Sequence, residues 1–594
     1  MNTLKKASLK LFLGLLISSV GCVSIQNDYH KWEVYGGSKD NIRYSQLSEI
    51  DTTNVSTLQK VWEFSTNDQD RFTQIQANPI IVDQVLYGIS PKLKLFALDA
   101  ATGIQKWLFD PYQANPHEIK GQGYFSMNVS RGVTYYSDQK SSRLFYAAGP
   151  NLFCVDGSTG KLVKNFGENG RLDLHNDLDR DAASLYIAMT SPGIIFKDMI
   201  IIGSRVNEGA AAAPGYIRAY DVHTGALRWK FHTIPKPGEE GYESWDDKDA
   251  WKNIGGANAW AGFSLDEKRG IVYAPIGSAS YDFYGGKRKG DNLFANSILA
   301  LDASTGKKIW HFQTIHHDVW DRDLPTAPAL INLLIDGKKI DALAQPTKGG
   351  IVYLFDRTTG EPLFPIKEIP VPNSSELEGE QLSATQPWPT GITPFARQAF
   401  TELNINALVS DEEQEEIRQK LRLLSTGFTF NPPTEKGTVI FPGFDGGAEW
   451  GGPAYDPETN LLYINSNEMP WILTMVKQQK KETETETNFD AGERLYKMNC
   501  MACHGTDKKG SGDNPGLLNI ETKYTLSSFN ELIQGGRRMM PAFPQLSEEE
   551  LEAIASYVLS LENKKDLIYM ENPEEINPYW DMPFTSTGYN KFLT

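Results

Sequence analysis

The stretch Asp99-Ala100-Ala101-Thr102-Gly103-Ile104-Gln105-Lys106-Trp107 follows one apolar β-run and opens the next. Asp and Thr at these positions satisfy backbone donors in a tight turn, and the glycine accepts a positive φ. The aromatic four residues after the glycine then sits on the following strand, facing a neighbouring sheet. The pattern returns at Asp221–Gly225 with Trp229, at Asp302–Gly306 with Trp310, and at Asp356–Gly360 with Phe364. Asp156–Gly160 keeps the turn without the aromatic, and Asp456–Asn460 ends in Asn. Unrelated hairpins that share ordinary turn chemistry would not give six copies. Irregular spacing of roughly 50 to 100 residues, with strands between, predicts four-stranded propeller blades.

Outward from these turns, the 594 residues exceed one ordinary domain, although a large propeller holds several hundred residues as one unit. Hydrophobics at 40% and aromatics at 11% suffice for a packed core. A net charge of -17 excludes nucleic acid as a partner, which needs clustered Lys and Arg, and favours a basic partner such as a cationic electron carrier. At the start, Lys5 and Lys6 precede a short apolar run, Leu11 to Ile17, too short to span a bilayer. Residues 1–21 therefore read as a cleaved export signal. The small residue before Cys22 resembles a bacterial lipobox, which implies a lipidated Cys22, a membrane anchor and a periplasm-facing location. Ser19 stands where such boxes usually carry Leu, and ordinary cleavage at nearby small residues is the rival reading. Of the remaining three cysteines, Cys154 lies in the apolar run Leu152–Val155 and reads as a buried small hydrophobe.

Composition breaks after Val476. Residues 477–488 are charged and polar and read as a tether. Residues 489–565 switch to helical periodicity, with Ser547 and Glu550 as a capping box before the stripe Leu551, Ile554, Ala555 and Val558. Within them stands Cys500-Met-Ala-Cys503-His504. Cysteines three apart lie on one face of a helical turn and can form two thioethers to a haem, and the adjacent His504 reaches the iron. Zinc would need a second ligand pair and a thioredoxin-like site a βαβ context, and neither is present. The sixth ligand is expected from Gly535–Pro541, with Met540 preferred to Met539. The segment resembles a class I cytochrome c domain, with Gly492, Tyr496 and Pro515 in that pattern.

Residues 29–476 carry a second set of motifs: Val129-Ser-Arg131-Gly-Val, Asn258-Ala-Trp260 and His316-His-Asp-Val-Trp-Asp321-Arg-Asp-Leu-Pro. They continue as Thr347-Lys348-Gly-Gly-Ile, Leu382-Ser-Ala-Thr-Gln-Pro387 and Gly446-Gly-Ala-Glu449-Trp450-Gly-Gly. Together they resemble the quinoprotein dehydrogenases, most closely the glucose dehydrogenase branch. The resemblance implies an all-β, eight-bladed propeller with pyrroloquinoline quinone (PQQ) and Ca2+ near its axis, joined here to a small all-α cytochrome c domain. It implies that Arg131 pairs a PQQ carboxylate, Lys348 contacts the quinone oxygens, Trp260 stacks on the ring, and Thr190 makes a polar contact. Asp321 matches the general base, and Glu208 a calcium ligand. Two positions depart from the pattern. Ser278 stands where an Asn calcium ligand is expected, and a hydroxyl ligates Ca2+ more weakly. Glu449 stands where relatives often place Asn against PQQ. Met127 or Asn128 falls near where glucose-oxidising relatives carry a His. His316 and His317 look like a metal pair, but neighbours on a strand face opposite ways, so they are not expected to be ligands.

The expected activity is PQQ-dependent oxidation of an aldose or related alcohol or polyol. Electrons would pass through haem c to a periplasmic cytochrome or oxidase. A second reading is a non-catalytic propeller that serves as a haem c carrier or scaffold. Six turns and an early strand group near Val61–Phe64 fall short of eight blades, and about 30 residues follow the helical segment. Residues 566–594, with Thr585–Phe592, resemble the start of a returning propeller segment. The expectation is an incomplete propeller, a fragment of a longer gene that binds PQQ poorly alone.

Overall fold

The computed structural model describes residues 29–594, apart from 71–72, 114–115, 120–123, 139, 479–485, 511–513, 538–539, 541–542, 544–545, 571–581, 587–589 and 593–594. Cys22 and the export signal lie outside the described residues, as do Met539 and Pro541.

Four sheets of four antiparallel strands follow one another along the chain, each strand paired with its sequence neighbours in the sheet. They cover Ile80–Phe109, Thr134–Asp173, Ile194–Phe231 and Ser264–Gln313. A three-stranded sheet follows over Ala329–Asp356. The first strands of the second to fifth sheets touch in succession, and the strand Ala454–Asp456 touches the fifth in turn. First strands side by side and later strands splayed outward are the arrangement of a β-propeller.

The core is correspondingly divided, with one apolar cluster between each adjacent pair of sheets. Along the strand Ser142–Ala148, Leu144 and Tyr146 join the cluster shared with the first sheet. Phe145 and Ala147 join the one shared with the third. Ile200 and Ile202 likewise face back to the second sheet while Ile201 faces the fourth. Period-two alternation in which both faces are apolar is what a sandwiched strand requires.

The Asp-x-x-Thr-Gly turns lock adjacent sheets together. Asp302 Oδ1 accepts from Thr305 N at 2.8 Å and Thr305 Oγ1 at 2.9 Å. Gly306 takes φ +70, and a Cβ there would stand 2.4 Å from the ring of Trp229, the aromatic of the preceding sheet. The indole of Trp229 donates to Ala303 O at 3.1 Å. Trp107 repeats this on Gly157 O, and Trp310 on Arg357 O. Where the second sheet's turn has no aromatic, Gly225 instead meets Gly167 and Leu172. Cys154 is fully buried between the second and third sheets.

A helical unit is inserted between two paired strands. Met475–Lys477 leads into it and Phe584–Ser586 returns from it, in register Met475↔Ser586, Val476↔Thr585 and Lys477↔Phe584. Asn590–Lys591 then pairs with Trp471–Leu473. The unit's first helix, Asn488–Asn499, is capped by Thr487, and its last, Glu548–Val558, by the Ser547–Glu550 box. These two helices pack closely, because a side chain at Gly492 would meet Ala553 O at 2.0 Å.

Candidate functional site

After the strand Lys308–Gln313 the chain turns tightly through Asp318–Asp323. Asp318 holds that turn: Oδ1 accepts from Trp320 N at 2.9 Å, and Oδ2 from Arg322 N at 2.6 Å and Asn296 Nδ2 at 2.9 Å. Trp320 is buried and donates to Asn431 O at 2.8 Å. Asp321 is thereby fixed at φ +56, a left-handed conformation that Asp tolerates better than most residues.

Lys348 comes from the turn that follows the strand Lys338–Pro346 and donates to Asp321 Oδ1 at 2.8 Å. It lies 3.6 Å from Asp323 Oδ2. Both members of the 2.8 Å pair are buried, with side chains 7% exposed. Lys348 O accepts from Gly447 N at 2.6 Å, and a Cβ at Gly446 would come within 2.8 Å of Lys348 Cγ. The Gly446-Gly447 pair therefore lets the segment bearing Glu449 approach the lysine. Burial raises the Asp321 carboxyl well above the usual range. Lys348 opposes this, while Asp323 and Glu208 add to it. Asp282 is raised too, by burial and then by Asp321, Glu208 and Asp323.

Trp260 Nε1 donates to Asp323 Oδ2 at 3.0 Å, which anchors the indole beside the Asp321–Lys348 pair. The Arg131 guanidinium lies 5.3 Å from the Trp260 ring and 4.8 Å from the Trp450 ring. Its hydrogen bonds go to neutral acceptors: Thr190 Oγ1 at 3.1 Å, Ser191 Oγ at 3.2 Å and Gln76 Oε1 at 3.2 Å. Burial pulls its pKa down to about 10. A buried guanidinium held by neutral groups between two aromatic faces fits a flat anionic ligand. Glu449, nearby, is pushed up to about 7 by burial, against the pull of Lys348 and Arg131.

The structure thus brings Asp321, Lys348, Trp260, Arg131, Thr190 and Glu449 into one region. Ser278 is adjacent, since its N donates to Asp323. Its hydroxyl donates to Asp318 Oδ2 and accepts from Asn296 Nδ2 at 3.1 Å, which leaves one lone pair for a cation. The oxygen-only donors and surplus negative charge at Glu208, Asp282, Asp321 and Asp323 suit a hard cation such as Ca2+. Among the described residues, however, no three His, Cys, Asp or Glu side chains converge as a metal cage. Asn128 spends its amide on Tyr124 O at 2.9 Å.

His316 and His317 diverge, although not for the reason expected. They sit in bends rather than on a strand, and His317 takes φ +47. His316 meets Gln313 and Glu368. His317 bonds Gly290 O at 2.8 Å and Glu380 Oε1 at 2.7 Å, a pair 1% and 2% exposed. The reading of the sequence missed Asp323, Asp282, Ser191, Gln76 and Trp450. Asp323 and Trp450 stand inside motifs it used, whereas Gln76 reaches Arg131 across 55 positions with no local signal.

In the helical unit, Cys500 and Cys503 are unbridged, and burial pushes their thiols up to about 12 and about 11. His504 Nδ1 donates to Pro515 O at 2.8 Å, which places the proton there and leaves Nε2 unprotonated, the form able to ligate a metal. Burial lowers the His504 pKa and favours the neutral form. Met540 is partly buried against the same core and exchanges backbone hydrogen bonds with Arg537 at 2.9 Å.

Residues 32–513 match the family described as glucose/ethanol/alcohol dehydrogenase, β-propeller domain. The chain belongs to the PQQ dehydrogenase family. Residues 487–558 match a second family, the cbb3-type cytochrome c oxidase subunit III. Among PQQ dehydrogenases, the chain is 31% identical over 475 residues to the quinoprotein glucose dehydrogenase of Escherichia coli, covering 75% of this chain and 57% of that one. It is 30% identical over 467 residues to the glycerol dehydrogenase large subunit of Gluconobacter oxydans, covering 76% and 62%. It thus spans about three fifths of the length of these relatives. The crystal structure of quinohemoprotein alcohol dehydrogenase from Comamonas testosteroni superposes with a TM-score of 0.60 at 18% identity. That superposition covers 90% of this chain and 96% of the other, and it supports the propeller-type fold.

Proposed function

We propose that this chain is a PQQ-dependent dehydrogenase that oxidises an aldose or a related alcohol or polyol and passes the electrons through haem c. The observation that carries the reading is the buried Asp321–Lys348 pair beside Arg131, a cation with neutral hydrogen-bond partners. In this reading Arg131 would clamp a PQQ carboxylate with Thr190 alongside, Trp260 and Trp450 would stack against the ring, and Lys348 would contact the quinone oxygens. PQQ, when bound, supplies an ortho-quinone that accepts hydride from the alcohol carbon. Asp321, ionised, accepts the substrate hydroxyl proton, and Lys348 steadies that ionised form. Glu449, in place of an amide, donates a hydrogen bond while protonated. Ca2+ would be held by Glu208 with Ser278, which would offset the acidic surplus.

Cys500 and Cys503 would carry the haem thioethers, with His504 and Met540 as iron ligands. Haem c, when bound, supplies a one-electron relay to a periplasmic cytochrome or oxidase. The eight-bladed propeller and the all-α cytochrome domain belong to the same proposal, as does anchoring through Cys22. Cys22→Ser should release the protein from membranes, and retention of the variant there would refute the anchor. Identities of 31% and 30% to glucose and glycerol dehydrogenases support the sugar or polyol class without selecting a member. The test is dye reduction by the PQQ- and Ca2+-loaded protein over a panel of aldoses and polyols. Turnover that Asp321→Asn abolishes supports the reading, and turnover that survives the substitution refutes it.

A further inference from the structure

The strand that returns from the helical unit, Phe584–Ser586, lies between the wall of the Asp321 site and the cysteine motif. On one side is the segment from Ser278 to Tyr284, which holds Ser278 against Asp323 and places Asp282 near Asp321. Tyr281, in that segment, accepts a hydrogen bond from Ser586 N at 2.9 Å and donates to Ser586 Oγ at 3.3 Å. Thr585 Oγ1 lies 3.5 Å from the same hydroxyl. On the other side, Thr585 Oγ1 donates at 3.2 Å to the carbonyl of Met498, two residues before Cys500. The short helix Met501–His504 packs on this strand.

Apolar contacts reinforce the junction. Phe584 is buried in the cluster that contains Trp320, the neighbour of Asp321, and its ring stands 5.5 Å from that of Tyr284. Thr585 and Ser586 are only 6% and 3% exposed, so their polar groups depend on these partners. Glu208 lies near enough to raise both the Asp321 carboxyl and the Cys503 thiol.

We infer that the Tyr281 hydroxyl, through Ser586 and Thr585, is the latch that seats the cysteine motif against the wall of the dehydrogenase site. Tyr281 is a positioning residue: it fixes the separation over which electrons must pass. The inference rests on the proposed function only for its kinetic consequence. Each substrate oxidised releases two electrons and two protons. The haem iron is therefore reduced and reoxidised twice, each time giving one electron to a one-electron oxidant such as ferricyanide.

The test uses the full-length holoprotein and Tyr281→Phe. Loss of the hydroxyl leaves the buried Ser586 N–H without its acceptor, which should disfavour the seated arrangement by about tenfold. Hydrogen exchange across 582–586 should accelerate by about that factor while the helices of the inserted unit stay protected. In stopped flow, haem reduction by substrate should slow by a similar factor, while reduction of a dye that draws directly on PQQ is unchanged. Thr585→Val should reproduce the effect, and Thr585→Ser should restore wild-type behaviour. Unchanged exchange in Tyr281→Phe, or haem reduction at the wild-type rate, overturns the latch. Failure of the functional reading looks different: the wild type then reduces neither dye nor haem, and the exchange experiment still decides the latch.

Discussion

Asp321 is held ready by its neighbours. Asp318 bonds the turn around it, Lys348 pairs with it, and burial opposes its ionisation. A base must be ionised to accept a proton, so kcat/KM should fall as pH drops through the Asp321 pKa. Because that pKa is raised, the acid limb should lie above the ordinary Asp range. Lys348 lowers the Asp321 pKa, so Lys348→Met should move the limb upward; a pH–rate profile that does not move would refute the pairing. Asp321→Asn should lower kcat by at least about a hundredfold without changing the haem spectrum, read by dye reduction and visible absorption. At this scale much was legible, because Asp321, Lys348, Arg131 and Trp260 each lie in a short motif. Gln76 was not, because its bond to Arg131 depends on how the first and second sheets meet.

At the scale of elements, the Asp-x-x-Thr-Gly turn both ends a hairpin and receives the tryptophan of the preceding sheet. Gly306 combines φ +70 with a Cβ position 2.4 Å from Trp229. Gly306→Val should cost about 2 kcal/mol or more, measured as a lower denaturation midpoint. Trp229→Ala should cost about 3 kcal/mol by emptying the same seam. The turn chemistry and the aromatic's direction were readable from residue types and spacing. The indole's bond to the next turn's backbone was not, since no local pattern states which carbonyl it meets. The His316-His317 pair shows the limit of a period-two argument: the expected strand is a bend, and the two rings meet different partners, Glu368 and Glu380. His317 instead secures Glu380. Burial alone would raise the Glu380 pKa, but the His317 bond and charge lower it below its ordinary value. A depressed carboxyl stabilises the fold above its unfolded pKa and loses that contribution as pH falls through the folded one. Glu380→Gln should therefore destabilise the protein at neutral pH by on the order of 2 kcal/mol, with the difference shrinking in acid, as thermal unfolding at two pH values would show.

At the scale of the whole molecule, the helical unit enters and leaves through two paired strands, so its ends are tied to the propeller beside the site. The composition break after Val476 falls inside the strand Met475–Lys477, and the first helix of the unit begins at Asn488. The resemblance of Thr585–Phe592 to a returning propeller segment pointed to a return of the chain here, but the register, Val476 with Thr585 across more than a hundred residues, has no local signal. In the proposed function, one chain joins an Asp321-dependent oxidation to a haem held at Cys500, Cys503 and His504. The most direct measurement mixes PQQ- and Ca2+-loaded protein anaerobically with each aldose or polyol and follows the absorbance of ferrous haem. Substrate-driven haem reduction is expected in the wild type. Haem reduction by substrate in Asp321→Asn should be at least about a hundredfold slower, although dithionite reduces the haem of both. Haem reduced by substrate equally well in Asp321→Asn, or by no substrate in PQQ-loaded wild type, would contradict the proposed function.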